Sequence, residues 1–192
     1  KIRFDEWRKL QAFKSERAVE VFETQLQYIW NYAQNSKNPN EVLDYFGYFL
    51  SGLTSGVQLF SLFERRPDIL EKVIYVTSLS KQLADDLAKQ VSVLDGLADT
   101  GPDAIPSNLT GFQKSLQARL INTKDFETSL TNTRAWKSEE HFKIIFAQLT
   151  QIITPQRAEK AYSDLAQTCL NLCLDQALCE TKRRFGEIPG SS

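Results

Sequence analysis

The stretch of this chain that comes nearest to metal chemistry is Asp125-Phe126-Glu127. An acid, one apolar residue and a second acid can hold the magnesium ions of nucleotidyl transfer, because carboxylate oxygens suit that hard cation. The pattern works on a strand, where side chains two apart point the same way. On a helix they diverge by about 200°. Here the pair follows Asn122-Thr123 and leads into helical spacing, so the carboxylates read as acids at a helix start. The chain has no Asp-x-Asp and no phosphate-cradling loop of the GxxxxGK form.

His141 is the single histidine. A general base or a metal site needs partners, and the neighbours Glu139 and Glu140 in "KSEEHFKIIF" fit the first turn of a helix. It reads as a surface or boundary histidine. Cys169 and Cys173, four apart, share a helix face and could both touch a metal. Structural zinc takes four ligands, usually in close CxxC-type pairs, and Cys179 is turned away from Cys169 by about 80° at 100° per residue. The thiols therefore read as buried free cysteines serving as small apolar residues. No residue emerges as a catalytic, cofactor-binding or metal-binding group.

The elements that carry these residues are helical throughout. Trp7, Leu10 and Phe13 are spaced by three, and Phe22, Leu26, Ile29 and Ala33 continue a stripe until Asn38-Pro39-Asn40. Val42, Phe46, Phe49, Leu50 and Leu53 form the next one. Such stripes mark helices that bury one face. Ser55-x-x-Gln58 has capping-box form, with Gly52 and Gly56 easing the turn before it. That helix presents Val57, Leu59, Phe60 and Phe63 inward and ends by Arg66, because Pro67 disfavours helix in the residue before it. Pro67 then opens a new helix, with Asp68 in its first turn. "VIYVTS", from Val73 to Ser78, has strand propensity, but the spacing of Ile69, Leu70, Val73 and Ile74 is helical and no partner strand is evident.

A helix is expected over about 80–97. A faint echo 24 residues apart pairs Phe63, Ile69, Leu70, Glu71 and Val73 with Leu87, Val93, Leu94, Asp95 and Leu97; two weak copies do not make a solenoid. "ADTGPDAIPSN", residues 98–108, is the clearest break. It divides a helical half, 1–97, from a second, 109–192, which ends in a linker; the two are expected to share a core. Helices are expected at 109–121, 124–135 and 138–153. Thr154-Pro155 then opens a long one, with Thr as N-cap and Pro in the first turn. Its stripe, Ala158, Ala161, Tyr162, Leu165, Cys169, Leu172, Cys173 and Gln176, predicts a packed rod as far as about Ala177. The fold class is all-α: an irregular multi-helix bundle with a long C-terminal helix.

Basic residues number 23 against 24 acidic, so no overall field favours nucleic acid or an anionic membrane. No apolar run reaches the ~20 residues that span a bilayer. The chain opens on Lys1 without a charged-then-apolar leader and contains no methionine. These features read as a cytoplasmic segment excised from a larger protein, with reduced thiols and "GEIPGSS" as a linker.

"FLSGLTSGVQLFSLFERRPDILEKV", residues 49–73, resembles the middle of the bacterial bifunctional glutamine synthetase adenylyltransferase/adenylyl-removing family. The likeness continues through "LADDLAKQVSVLDGLAD" and returns more loosely in "AEKAYSDLAQTCLNLCLDQAL" and "RRFGEIPG". The resemblance implies two nucleotidyltransferase domains elsewhere in the parent, the N-terminal one removing AMP from glutamine synthetase and the C-terminal one adding it to a tyrosine. ATP and magnesium would serve those domains, not this segment. The family's "ALGKLGGRE" stretch and its Asp-x-Asp have no matching positions here, so no catalytic residue carries over. The implied role is a non-catalytic helical linker and regulatory domain. Its partners would be the flanking catalytic domains, with glutamine synthetase and the PII signal protein as further candidates. The rivals are a free-standing helical adaptor, which an exposed apolar groove would favour, and a small magnesium-dependent enzyme using Asp125 and Glu127.

Overall fold

The computed structural model describes residues 2–94, 101–123 and 125–186. Among them there are ten α-helices and no strand. The chain divides into two compact units, Lys1–Pro102 with Leu149–Ile152, and Asp103–Gln148 with Ile153–Ser192.

The first unit contains α1 (Ile2–Trp7), a 3-10 turn (Gln11–Phe13), α2 (Glu16–Glu23), α3 (Leu26–Gln34), α4 (Pro39–Ser51), α5 (Val57–Arg65), α6 (Pro67–Leu79) and α7 (Lys81–Lys89). Helix α4 packs on α6 and α7, and α2 packs on α5. The hub is Phe22, fully buried. Its ring lies 4.9 Å from Phe13, 4.8 Å from Phe60, 6.1 Å from Trp7 and 6.5 Å from Phe46. Offset and edge-on aromatic pairs at these separations add to the area they bury. Phe60 and Phe63 are core residues, as their stripe predicts. Val73–Ser78 lies inside α6, where the helical spacing of the apolar residues overrides strand propensity.

Several expected boundaries move. Phe22 and Ala33 do not share one helix: α2 stops at Glu23, and the Thr24 hydroxyl donates to the Val21 carbonyl at 2.7 Å. The buried residue at the break is Gln25, which donates to the Phe60 carbonyl at 2.7 Å, while Leu26 is half-buried. The capping box at Ser55 does not form, because α5 starts one residue later with Gly56 as N-cap and no side-chain bond. Nor do the glycines serve backbone freedom there: Gly56 has φ −104° and Gly52 φ −81°, both ordinary. They serve close approach. A Cβ on Gly52 would stand 2.6 Å from that of Ala88, and one on Gly56 2.6 Å from the Ala12 carbonyl oxygen. The helix expected through residue 97 ends at Lys89, and i→i−3 bonds tighten the chain at Val93 and Leu94. Asp95, Leu97 and the first part of the 98–108 break lie outside the described residues.

The second unit contains α8 (Leu109–Leu120), most of α9 (Phe126–Leu149) and α10 (Pro155–Phe185). Thr154 caps α10 as expected, accepting from the Arg157 amide at 3.2 Å with Pro155 at the first position. Helix α8 packs on α10, and its Ser115 hydroxyl accepts from the Trp136 indole of α9 at 2.9 Å. The two helices expected at 124–135 and 138–153 are one, α9. Nothing at 135–138 breaks a helix: no Gly or Pro occurs there, and Glu139 and Glu140, whose type suits a first turn, sit mid-helix. The packed face of α10 also ends earlier than its stripe implies. Ala158, Ala161, Leu165 and Thr168 are buried, whereas Cys169, Leu172 and Gln176 are half-buried and Cys173 is exposed. The linker residues 187–192 lie outside the described residues.

Candidate functional site

Helices α9 and α10 run antiparallel, and the register follows from their cross-contacts. Gln176 of α10 donates to the Ser129 hydroxyl of α9. Further along, the Lys137 ammonium acts on the Cys169 thiol. His141 meets Tyr162, ring centroids 5.5 Å apart. Between these ends lies an open groove of about 620 Å³, whose α9 wall is Thr133, Arg134, Lys137 and His141. The α10 wall is Tyr162, Leu165, Ala166, Cys169 and Cys173. Along α10 the wall runs eleven residues, from Tyr162 to Cys173, so the groove is about 16 Å long at ~1.5 Å per residue.

The groove's electrostatics are simple. Its interior is apolar, and burial pushes the Tyr162 hydroxyl upward from its ordinary pKa. Burial also raises the Cys169 thiol, and Cys173 adds to that while Lys137 opposes it. Cys169 is thus a neutral thiol, not a primed nucleophile. Arg134 and Lys137 are exposed on the rim, and neither forms an ion pair among the described residues.

The sequence candidates separate accordingly. His141, Cys169 and Cys173 line one groove, which the sequence did not foretell, but no three His, Cys, Asp or Glu side chains among the described residues stand close enough to share a metal. The expectation of buried cysteines fails for Cys173 and Cys179, which are exposed, while Cys169 is half-buried. Asp125 is a helix cap: its Oδ1 accepts from the Thr128 amide at 2.8 Å, and that bond holds its carboxyl below the usual range. Glu127, exposed in the first turn of α9, does not join it in a cleft.

Sequence reasoning missed Glu140. It is buried, its Oε1 accepts from Lys143 at 2.7 Å, and its Oε2 has no hydrogen-bond partner among the described residues. Burial raises its pKa, Lys143 partly offsetting the effect. The signal was present, since Trp136, Glu140, Ile144 and Ala147 recur at helical spacing and all four are buried.

A smaller recess of about 380 Å³ in the first unit is lined by Tyr32, Asp68, Glu71, Lys72 and Tyr75, with residues 149–151. Its charges are answered internally. Arg66 clasps Asp68 at 2.8 and 2.9 Å, and Lys72 stands 3.7 Å from it. Tyr28 donates to Glu71 at 3.0 Å, and burial followed by that bond pushes the phenol up to about 12.

The fold and the groove define the class as an all-helical domain, with no helix among the described residues long and apolar enough to cross a membrane. The sequence profile of the glutamate-ammonia ligase adenylyltransferase family matches residues 70–191, and the chain belongs to that family. Relatives include bifunctional glutamine synthetase adenylyltransferase/adenylyl-removing enzymes. That of Brucella suis biovar 1 is 33% identical over 156 residues, 81% of this chain and 16% of the relative. That of Rhizobium meliloti is 31% identical over 155 residues, again 81% and 16%. That of Caulobacter vibrioides is 26% identical over 182 residues, 93% of this chain and 17% of the relative. The chain therefore spans about one-sixth of the length of the curated relatives it matches.

Proposed function

We propose that this chain is a non-catalytic helical linker and regulatory domain of a cytoplasmic glutamine synthetase adenylyltransferase/adenylyl-removing enzyme. The observation that carries the reading is the pairing of a family match with a match to only 16–17% of the length of the bifunctional relatives. The conformation of Asp125 supports it, because a carboxylate spent on capping α9 does not assemble a magnesium site with Glu127. In this reading AMP transfer from ATP with magnesium, and AMP removal, belong to flanking catalytic domains. The segment spaces those domains and couples them, with glutamine synthetase and the PII signal protein as docking partners. An open apolar groove is also what a protein-interaction adaptor would carry, and family membership favours such a role within the enzyme over a free-standing one.

Two measurements test this. The purified chain, incubated with magnesium, labelled ATP and glutamine synthetase, should transfer no AMP. Label incorporation that disappears in Asp125→Ala would instead make the chain an enzyme. In the full enzyme of a relative, exchanging the corresponding segment for a flexible Gly/Ser linker of equal span should leave both basal activities but uncouple their opposed regulation. Unchanged regulation would refute the regulatory role.

A further inference from the structure

The distal half of α10 is more apolar than its own unit accounts for. Beyond Thr168 the helix exposes Leu170 (69%), Leu174 (59%) and Leu178 (41%). At 100° per residue, Leu170 and Leu174 lie about 60° and 100° round the helix from Cys173, so they extend the α10 wall of the groove outward. A helix apolar over so wide an arc is normally covered, and contiguous exposed apolar surface of this kind marks an interaction site.

We propose that the α9–α10 groove is a docking site for an amphipathic helix of a partner protein, apolar on one face and acidic along its flanks. Three features select that occupant. The space between the Ser129–Gln176 bond and the His141–Tyr162 contact is about three helical turns long, bounded by two helices and open on the third side, the shape into which a helix lays its apolar face. The rim offers two cations, Arg134 and Lys137, that form no ion pair among the described residues, on successive turns of α9 and beside the apolar floor, and carboxylates at i and i+3 complement them. Among the described residues no Asp or Glu lines the groove, so a second copy presenting the same face would leave these cations unanswered. The inference goes beyond the spacer role and stands without it.

The test uses fluorescein-labelled synthetic helices and the purified chain, read by fluorescence anisotropy. One peptide carries Leu at i, i+3, i+4 and i+7 with Glu flanks. The second replaces every Glu with Lys, and the third contains a central Pro. The acidic helix should bind saturably at one per chain, at least tenfold more tightly than either control. Arg134→Glu/Lys137→Glu, two exposed changes that leave the core untouched, should reverse the charge preference. Ala166→Trp, which fills the groove from an exposed wall position, should abolish binding. Equal affinity for the Glu and Lys peptides, or full binding by a folded Ala166→Trp variant, would overturn the proposal. So would co-sedimentation with phosphatidylserine vesicles in the absence of any peptide binding, which would make the face a membrane surface. Dimerisation that displaces the acidic peptide would overturn it too, making a second copy the occupant.

Discussion

Gly56→Ala isolates what close packing contributes at the start of α5. The backbone there is right-handed, φ −104° and ψ −20°, so alanine fits the conformation and by itself would stabilise by about 0.4–1 kcal/mol through the unfolded chain. Packing opposes it. The new methyl would stand 2.3 Å from Cε2 of Phe60 and 2.6 Å from the Ala12 carbonyl oxygen. Neither neighbour yields easily: Phe60 is fully buried against Phe13 and Phe22, at 5.1 and 4.8 Å, and the oxygen is backbone. Contacts this short put the overpacking in the upper part of the about 1–3 kcal/mol that such changes cost, so the net expectation is a loss of about 1–2.5 kcal/mol. Urea unfolding followed by far-UV circular dichroism measures it. Phe60→Leu removes the ring edge but leaves the carbonyl, so the double variant should be less unstable than the two losses combined, by about 0.5 kcal/mol or more. A neutral or stabilising Gly56→Ala would show that the glycine is kept neither for packing nor for conformation.

Glu140 gives a pH dependence whose sign is fixed by its burial. Its folded pKa is raised, so the folded state holds the proton more tightly than the unfolded chain. The stabilisation is full below the ordinary carboxylate range and is lost as pH rises through the raised value. Urea midpoints measured from about pH 4 to 8 should fall less with rising pH in Glu140→Gln than in the parent chain; identical slopes would show that Glu140 is solvated. Capping gives a contrast between two serines. Ser80 accepts from the Leu83 amide at 3.1 Å, so Ser80→Ala should cost about 1 kcal/mol, whereas Ser55→Ala, at an exposed position outside any cap, should stay within about 0.5 kcal/mol.

Local chemistry was the legible part of this sequence. Pro67 and Thr154-Pro155 set helix starts because a ring without an N–H and a hydroxyl acceptor act within a few residues. The stripe through Phe60 and Phe63 gave the core face of α5 for the same reason. Where the reading failed, tertiary packing outvoted local signals. Gln25 is buried because the Phe60 carbonyl accepts from its amide nitrogen, a partner 35 residues away that no spacing reveals. The cap signal at Ser55 lost to the fit of Gly56 against Phe60 and Ala12. Glu139 and Glu140 looked like first-turn acids until Lys143 and the apolar face of α9 took Glu140 inside. The groove was invisible as a site, because its walls are separated by some twenty residues of sequence between His141 and Tyr162 and meet only through an antiparallel register. One half of it did leave a trace: Ala166, Leu170, Leu174 and Leu178 form an apolar row beside the stripe that packs.

Helix α10 carries a phase as well as a length. Its thirty-one residues run from Pro155 to Phe185, about 46 Å at ~1.5 Å per residue, and its last buried residue is Thr168. Beyond that point half-buried residues such as Gln176, which is bonded to Ser129, keep one face on the unit, and that face aims the exposed leucines. Inserting one residue after Thr168 would advance the distal leucines by only about 1.5 Å but swing them by about 100°, turning Leu170 and Leu174 away from the groove they flank. Three- and four-residue insertions leave errors of about 60° and 40°; a seven-residue insertion leaves about 20°. Length changes tolerated here should therefore come in sevens or elevens, as angular steps and not as linear ones, and the helix behaves as an indexing shaft whose permitted settings are counted in whole turns.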